Sequence, residues 1–271
     1  MLDKWRSYCG GSLLLAWLTL GEAAIWLGVT VISLVGSAMH FYVPVADWLT
    51  LPSIFSIFLT RPWTLLTYMG VHFDFLHMLF NVLWLYWFGR IMLITLSDRH
   101  LAVAFAGGGL AGGVLFLASA ALGYGSGWLC GCSAAVIAVM CATAIRLPDH
   151  PVNLFLIGEV KLKWVAIACC VLTFIGGGGN QAAHIGGLLW GVAFGLMLSR
   201  GIDPSRWFDF SQKRQKEPKR QPDRMVRVLR DRQEDIRRLD ELLDKIRLSG
   251  YGSLSGKERK ELNELSARLK K

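Results

Sequence analysis

Charge is scarce through most of this chain. The first 199 of its 271 residues hold only 8 of the 29 Lys and Arg and 7 of the 20 Asp and Glu. A soluble domain carries charge on about a quarter of its residues, so a water-facing surface is excluded for this part. With 53% hydrophobic residues, eleven Trp and a mean hydropathy of +0.41, the composition is that of a membrane protein. A cysteine pattern is also lacking. Cys9, Cys130, Cys132, Cys141, Cys169 and Cys170 show no metal-ligand spacing and no disulfide framework, and five of them lie in or beside apolar stretches, where a free thiol fills space. No small-residue cleavage motif follows the first long apolar stretch, and five more stretches come after it. The first stretch is therefore read as a retained span and not as a cleaved signal peptide.

A bilayer core of about 30 Å needs about 20 apolar residues per helix. On that ruler six spans are expected, over residues 14–37, 74–96, 101–122, 129–147, 162–178 and 181–199. Lys4 and Arg6, Arg90 and Arg99, Arg146 with Lys161 and Lys163, and Arg200 with the tail all fall on one side of these spans, whereas the opposite loops hold only Arg61. Positive charge marks the cytoplasmic side, so both termini are expected there. The first outer connection, residues 38–73, is long and amphipathic, running from Asp47-Trp48-Leu49 to Arg61-Pro62-Trp63, and suits the membrane interface.

Polar groups inside spans are costly and mark candidate functional sites. Here they are Glu22, His77, Asn81, Ser133 and His184, with His72 and Asp74 at the mouth of span two. Spans two, four and six all enter from the outer side, and His77, Ser133 and His184 each lie about one turn inside. The three groups therefore share a depth just beneath the outer surface. His77 and Asn81, spaced i and i+4, share one helix face. Ser133 opens span four within Gly131-Cys132-Ser133-Ala134-Ala135, where free backbone N–H groups and the positive helix end favour a developing anion. His184 sits in Ala183-His184-Ile185-Gly186-Gly187, and Gly191 and Gly195 extend a small-residue ladder that lets span six approach a neighbour closely. A hydroxyl needs a base to attack an amide, and imidazole is the usual one. The Ser133 N–H, the His77 ring and the Asn81 amide are the candidate oxyanion donors. No carboxylate stands at the right depth, so a Ser133–His184 dyad is expected instead of a triad.

These residues carry a family resemblance. The run Arg61-Pro62-Trp63-Thr64-Leu65-Leu66-Thr67-Tyr68, then His72, Phe75-Leu76-His77-Met78-Leu79-Phe80-Asn81 and Leu83-Trp84-Leu85-Tyr86-Trp87-Phe88-Gly89, resembles the second-span signature of rhomboid proteases of the bacterial type. Gly131-Cys132-Ser133-Ala134 is similar to their Gly-x-Ser-Gly nucleophile motif, and Ala183-His184-Ile185-Gly186-Gly187 to their sixth-span histidine. The resemblance covers about residues 20–200. It implies a six-helix core in the inner membrane, a water-filled cavity open to the outer side, and a mobile segment around helix five and its cap that admits the substrate helix laterally. It gives Ser133 and His184 the catalytic roles, and His77, Asn81 and Ser133 the oxyanion site. His72, Gly131, Ala134 and Gly187 take supporting places, and neither a cofactor nor a metal is called for. Three positions depart from the pattern. Ala134 replaces the glycine after the nucleophile, Thr64 stands where many bacterial members have Arg, and Ile137 lacks the ring that stacks on the catalytic histidine in some members.

Other features have plainer readings. Gly107-Gly108-Gly109 and Gly112-Gly113 lie in an apolar run with no following Lys, which fits helix packing and not a nucleotide loop. Gly176 to Gly179 form a connector that caps the site in the resembling family. His72, His77 and His184 lack a carboxylate or Cys partner at ligand spacing, so a metal site is not read from them. Glu22 is expected in the cytoplasmic half of span one, snorkelling or paired as a structural acid.

Three sections are expected: a six-span membrane domain over 1–200, a charged linker over 201–222 and a small helical cytoplasmic tail over 223–271. The fold class is thus all-α and polytopic. In the tail, Ile236, Leu239, Leu242, Leu243 and Ile246 keep a helical period that Gly250 and Gly252 end, and Ser255-Gly256-Lys257-Glu258 reads as a capping box for a second helix through Leu262, Leu265 and Leu269. The tail is basic, with a net charge of +8 from residue 200 onward, which suits an anionic inner leaflet. Interspersed acids argue against nucleic-acid binding, and no partner for the tail is legible. The expected function is an intramembrane serine endopeptidase that cleaves single-pass membrane proteins near the outer boundary of the bilayer. The rival is a non-catalytic rhomboid-like protein that binds transmembrane helices.

Overall fold

The structure, a computed structural model, describes residues 2–125, 127–154, 158–175, 181–208 and 222–269. The chain is mostly helical and divides into two compact units, Met1–Phe210 and Ser211–Lys271.

The first unit begins with α1 (Leu2–Tyr8) and α2 (Leu13–Ala38), the latter capped by Ser12, whose hydroxyl accepts from the Leu15 N–H at 2.9 Å. One stripe of α2, Leu15, Ala16, Thr19 and Glu22, is buried, while Trp17, Leu27, Leu34 and Val35 face outward. Such an exterior is penalised by water and not by hydrocarbon. The later helices of this unit are α6 (Phe75–Met92), α7 (Asp98–Ala121), α8 (Ser133–Arg146), α9 (Leu162–Ile175) and α10 (Gln181–Ser199). Together with α2 they overlap the six stretches expected to cross the bilayer. By length and composition α2, α7 and α10 are long and apolar enough to cross a membrane. Helices α8 and α9, of 14 residues each, reach only about 21 Å at 1.5 Å per residue.

The fourth stretch differs from expectation at its start. Residues Trp128–Leu129 are extended, not helical, and the helix opens at Ser133 itself. The cause is Gly131, whose φ of +94° turns the chain immediately before the helix. Strand β2 (Trp128–Leu129) pairs antiparallel with β1 (Leu51–Pro52), in register Leu51 with Leu129. That ladder ties the first connection to the turn before Ser133. The connection itself is folded into the short helices α3 (Val45–Leu49), α4 (Phe55–Thr60) and α5 (Thr64–Thr67). The Arg61 guanidinium donates to the Asp47 carbonyl at 2.8 Å and lies 4.4 Å over the Trp48 ring, and Trp48 stacks on Trp63. A second ladder, β3 (Pro151–Leu154) with β4 (Gly158–Lys161), joins α8 to α9. The two ladders qualify the all-α expectation: one joins two distant connections, and the other forms where the chain between α8 and α9 turns back on itself.

Helix α8 is the core of the unit, with every residue from Ala134 to Ala144 buried. Glycines of its neighbours make this possible. A Cβ on Gly108 would collide with the Ala138 methyl, and one on Gly187 or Gly191 would collide with the backbone of Ala134 or Ala138. The glycine runs read as packing surfaces thus serve that purpose, and they let α7 and α10 close on α8 from two sides. Gly176 to Gly179 lie outside the described residues, as do residues 209–221 of the expected linker.

The second unit holds α11 (Pro222–Ser249) and α12 (Gly256–Leu269), whose apolar faces enclose Leu242, Leu254 and Leu265. Gly250, at φ +76°, ends α11. Ser255 and Glu258 cap α12 reciprocally: the Glu258 carboxylate accepts from the Ser255 N–H at 2.8 Å, and the Ser255 hydroxyl accepts from the Glu258 N–H at 3.3 Å. Across the hairpin Lys245 donates to Glu258 at 2.7 Å and Arg238 to Glu261 at 3.0 Å.

Candidate active site

His77, Ser133 and His184 are respectively the third, first and fourth residues of α6, α8 and α10. Each side chain therefore sits at the start of a helix, and the agreement in depth read from the sequence becomes a meeting in space. Ser133 Oγ lies 2.8 Å from His184 Nε2. Two packing relations set this distance. Gly187, one turn beyond His184, lies against the Ala134 carbonyl, and Gly186 lies against the Ala111 backbone, so α10 approaches α8 and α7 at backbone range.

The turn before Ser133 is held from below. Gly131 donates its N–H to the Tyr68 carbonyl at 2.9 Å, and a Cβ at its position would stand 2.7 Å from the His77 ring. No other residue fits both its φ and that clearance. Cys132 then takes the N-cap position, and the Ser133 N–H falls in the first helical turn, where amides have no intrahelical acceptor. This amide is available to a ligand beside the serine oxygen.

A cavity of about 350 Å³ opens on these groups. Its polar lining is His77, Asn81, Ser133, His184 and Thr173, and its apolar walls include Phe80, Trp84, Ile137, Met140 and Leu172. The Asn81 amide donates one N–H to the His77 carbonyl at 2.8 Å, a bond within α6 that fixes the side chain; its NH₂ carries a second donor. Asp74 caps α6 through the His77 N–H. No carboxylate reaches the far side of the His184 ring, whose Nδ1 is buried with no hydrogen-bond partner among the described residues. The ring is oriented by packing and by its bond to Ser133.

His72 does not line the cavity. It stands behind the nucleophile turn, fully buried, with Nε2 accepting from the Cys132 N–H at 3.4 Å and its ring edge-on to His77 at 5.0 Å. Of the two places expected for it, Glu22 takes the paired one, standing 3.6 Å from His72 and against Cys132, but these partners were not read from the sequence. The reason is that residues 64–72 dip toward the middle of α2, which a span-by-span reading cannot reveal. The cavity walls from α9, Cys169, Leu172 and Thr173, were also missed; nothing but apolar periodicity marks them.

The three departures from the expected motifs each have a structural account. The Ala134 methyl packs toward Gly112 and does not line the cavity, so the extra carbon is housed by a glycine on α7. Thr64 is buried and bonds back to the Arg61 carbonyl at 2.7 Å, closing the loop that Arg61 anchors. Ile137 is part of the cavity wall.

A family description, Rhomboid domain, matches residues 59–201. Residues 227–268 match a second one, a family of unknown function (DUF6576). Comparison with curated proteins gave no match.

Proposed function

Because the chain belongs to the rhomboid family, as the match over more than half its length shows, we propose that it is an intramembrane serine endopeptidase. It is a membrane protein, and in this reading six helices, α2 and α6 to α10, span the bilayer with both termini in the cytoplasm. Residues 1–200 form the membrane domain, 201–222 the linker and 223–271 the cytoplasmic tail. The substrates are single-pass membrane proteins cut near the outer boundary of the bacterial inner membrane.

The observation that carries the proposal is the 2.8 Å approach of Ser133 Oγ to His184 Nε2 at the wall of the cavity. His184 accepts the Ser133 proton as the oxygen attacks the scissile carbonyl. The carbonyl oxygen becomes an oxyanion, for which the Ser133 N–H, the His77 ring and the free Asn81 N–H are donors grouped on one side. The imidazolium then returns its proton to the leaving amine, and water repeats the sequence on the acyl-enzyme. His72 and Gly131 hold the nucleophile turn, while Ala134 and Gly187 hold the two helices together.

The test is incubation of the purified chain with a single-pass membrane substrate, beside the Ser133→Ala variant. Cleavage by the first alone supports the reading. Binding of the substrate without cleavage by either form would assign the chain to the non-catalytic binders of its family.

A further inference from the structure

A buried cluster lies behind the nucleophile turn and has no part in the dyad. Glu22 comes from α2, His72 from the connection before α6, and Cys132 from the residue preceding Ser133. They are 6%, 1% and 0% exposed. Their ligand-type atoms all lie within 4.8 Å of one another. Glu22 Oε2 and His72 Nδ1 face each other at 3.6 Å, beyond hydrogen-bond reach, and both atoms are buried without a hydrogen-bond partner among the described residues. The Cys132 sulfur stands 3.9 Å from His72 Nε2 and against the Glu22 carboxyl.

Buried polar atoms without partners are costly and call for an explanation. A cation placed among these three groups satisfies the two orphaned atoms together. In a tetrahedral zinc site, with bonds of about 2.0 Å to nitrogen and oxygen, those two ligand atoms stand about 3.3 Å apart. The observed 3.6 Å therefore needs little movement. One thiolate, one imidazole and one carboxylate form a mixed sulfur, nitrogen and oxygen set, which selects zinc-like ions over magnesium or calcium. We propose that Glu22, His72 and Cys132 bind one thiophilic divalent cation, zinc or its analogue cadmium, with the Cys132 thiol releasing its proton on binding.

Such a site is coupled to the nucleophile through His72. A cation on Nδ1 uses that lone pair, so the ring proton resides on Nε2. Nε2 then opposes the Cys132 N–H from which it accepts in the empty site. The tie between His72 and the nucleophile turn is broken, and occupancy lowers turnover at Ser133. This consequence rests on the proposed peptidase activity; the binding does not.

The experiment titrates the full chain, purified metal-free in detergent, with Cd²⁺, and reads the ultraviolet absorption of a cadmium–thiolate bond. Equilibrium dialysis with Zn²⁺ gives the stoichiometry. Cys141 and Cys170, whose sulfurs are 3.9 Å apart, are replaced by Ala throughout so that they contribute no signal. The expected result is one equivalent bound, no absorption in the Cys132→Ala variant, and affinity at least tenfold weaker in Glu22→Gln. Absence of the absorption, or equal binding in the Cys132→Ala variant, overturns the site. If Glu22→Gln does not fold, Cys132→Ala, which removes only a sulfur, still decides the matter. Unchanged cleavage in the presence of saturating Zn²⁺, with binding intact, overturns the coupling to Ser133 alone. Binding through Cys132 in a chain that cleaves nothing leaves the site standing and refutes the peptidase reading.

Discussion

Ser133 Oγ stands 2.8 Å from one nitrogen of His184, while the other nitrogen of the same ring is buried and unpartnered among the described residues. Among the described residues His184 therefore has one polar tether, and in the proposed mechanism that tether is its reaction partner. Removing either member removes the unit. Ser133→Ala and His184→Ala are each expected to lower cleavage by at least about 1000-fold, with the double variant no worse than either single one, as for residues that act together. Single-turnover cleavage with the detergent-purified variants, compared at equal helical content, checks this. Wild-type turnover in Ser133→Ala would sink the mechanism.

His77 and Asn81 line the same cavity as the nucleophile, and each supplies one donor among several. His77→Ala and Asn81→Ala are expected to lower kcat about 10- to 1000-fold with KM little changed, since an oxyanion donor acts on the transition state and not on the bound substrate. A change confined to KM in both variants would place them in substrate binding instead.

Gly187 tests whether helix packing positions the base. A Cβ there collides with the Ala134 carbonyl, so α10 must retreat from α8 and carry His184 away from Ser133. Gly187→Ala is expected to cost about 1–3 kcal/mol of stability, as overpacking does, and to reduce cleavage at least tenfold. Gly28→Ala, where a Cβ meets nothing within 4 Å, serves as the control and should match or exceed the wild type in stability. Thermal unfolding and cleavage rates of the two variants decide the point.

In the tail, the Lys245 ammonium first and the Ser255 amide second hold Glu258 well below the usual carboxylate range, at about 2. A carboxylate lowered in this way stabilises the folded hairpin above its unfolded value of 4.5, and that contribution is lost as pH falls from there through about 2. Side-chain NMR signals of Leu254 and Leu265 should therefore report loosening of the tail in that window. Glu258→Gln should remove the pH dependence; a persistent transition in that variant would assign it to another acid.

The polar residues of the site were legible because lipid makes them conspicuous. His77, Asn81, Ser133 and His184 stand out in apolar runs, and the common depth of three of them was read by counting residues along spans whose entry side the positive-charge pattern supplied. The glycines that close α7 and α10 on α8 were visible as a pattern for the same reason. What could not be read was any relation between segments with no shared period. The pairing of Leu51 with Leu129, the reach of Tyr68 to Gly131, and the meeting of Glu22 with His72 all join residues more than 45 positions apart. Spacing rules see ligands on one helix or one loop, so a cluster drawn from residues 22, 72 and 132 leaves no trace in the sequence. The extended start of the fourth stretch was missed because an apolar run does not tell strand from helix.

The depth of the site also bears on what is cut. Ser133 lies at the N-terminal end of α8 and beside the cavity, so in the proposed function water reaches it while most of a substrate span stays in hydrocarbon. A helix in lipid keeps its backbone hydrogen bonds closed, and only a segment that unwinds presents an extended peptide bond. Gly costs about 1 kcal/mol and Pro about 3 kcal/mol relative to Ala in a helix interior, so such residues near the outer end of a substrate span lower the cost of unwinding. Replacing them with Leu is expected to slow cleavage in a bilayer about 5- to 160-fold, the range that 1 to 3 kcal/mol spans at 25 °C. In detergent, on a substrate already unfolded, that cost is absent and the slowing should shrink toward none. The comparison is made with one substrate pair, assayed in reconstituted vesicles and in detergent, with a small residue kept before the scissile bond throughout. Equal slowing in both settings would mean that those side chains are read directly, and unwinding would no longer account for the choice of substrate.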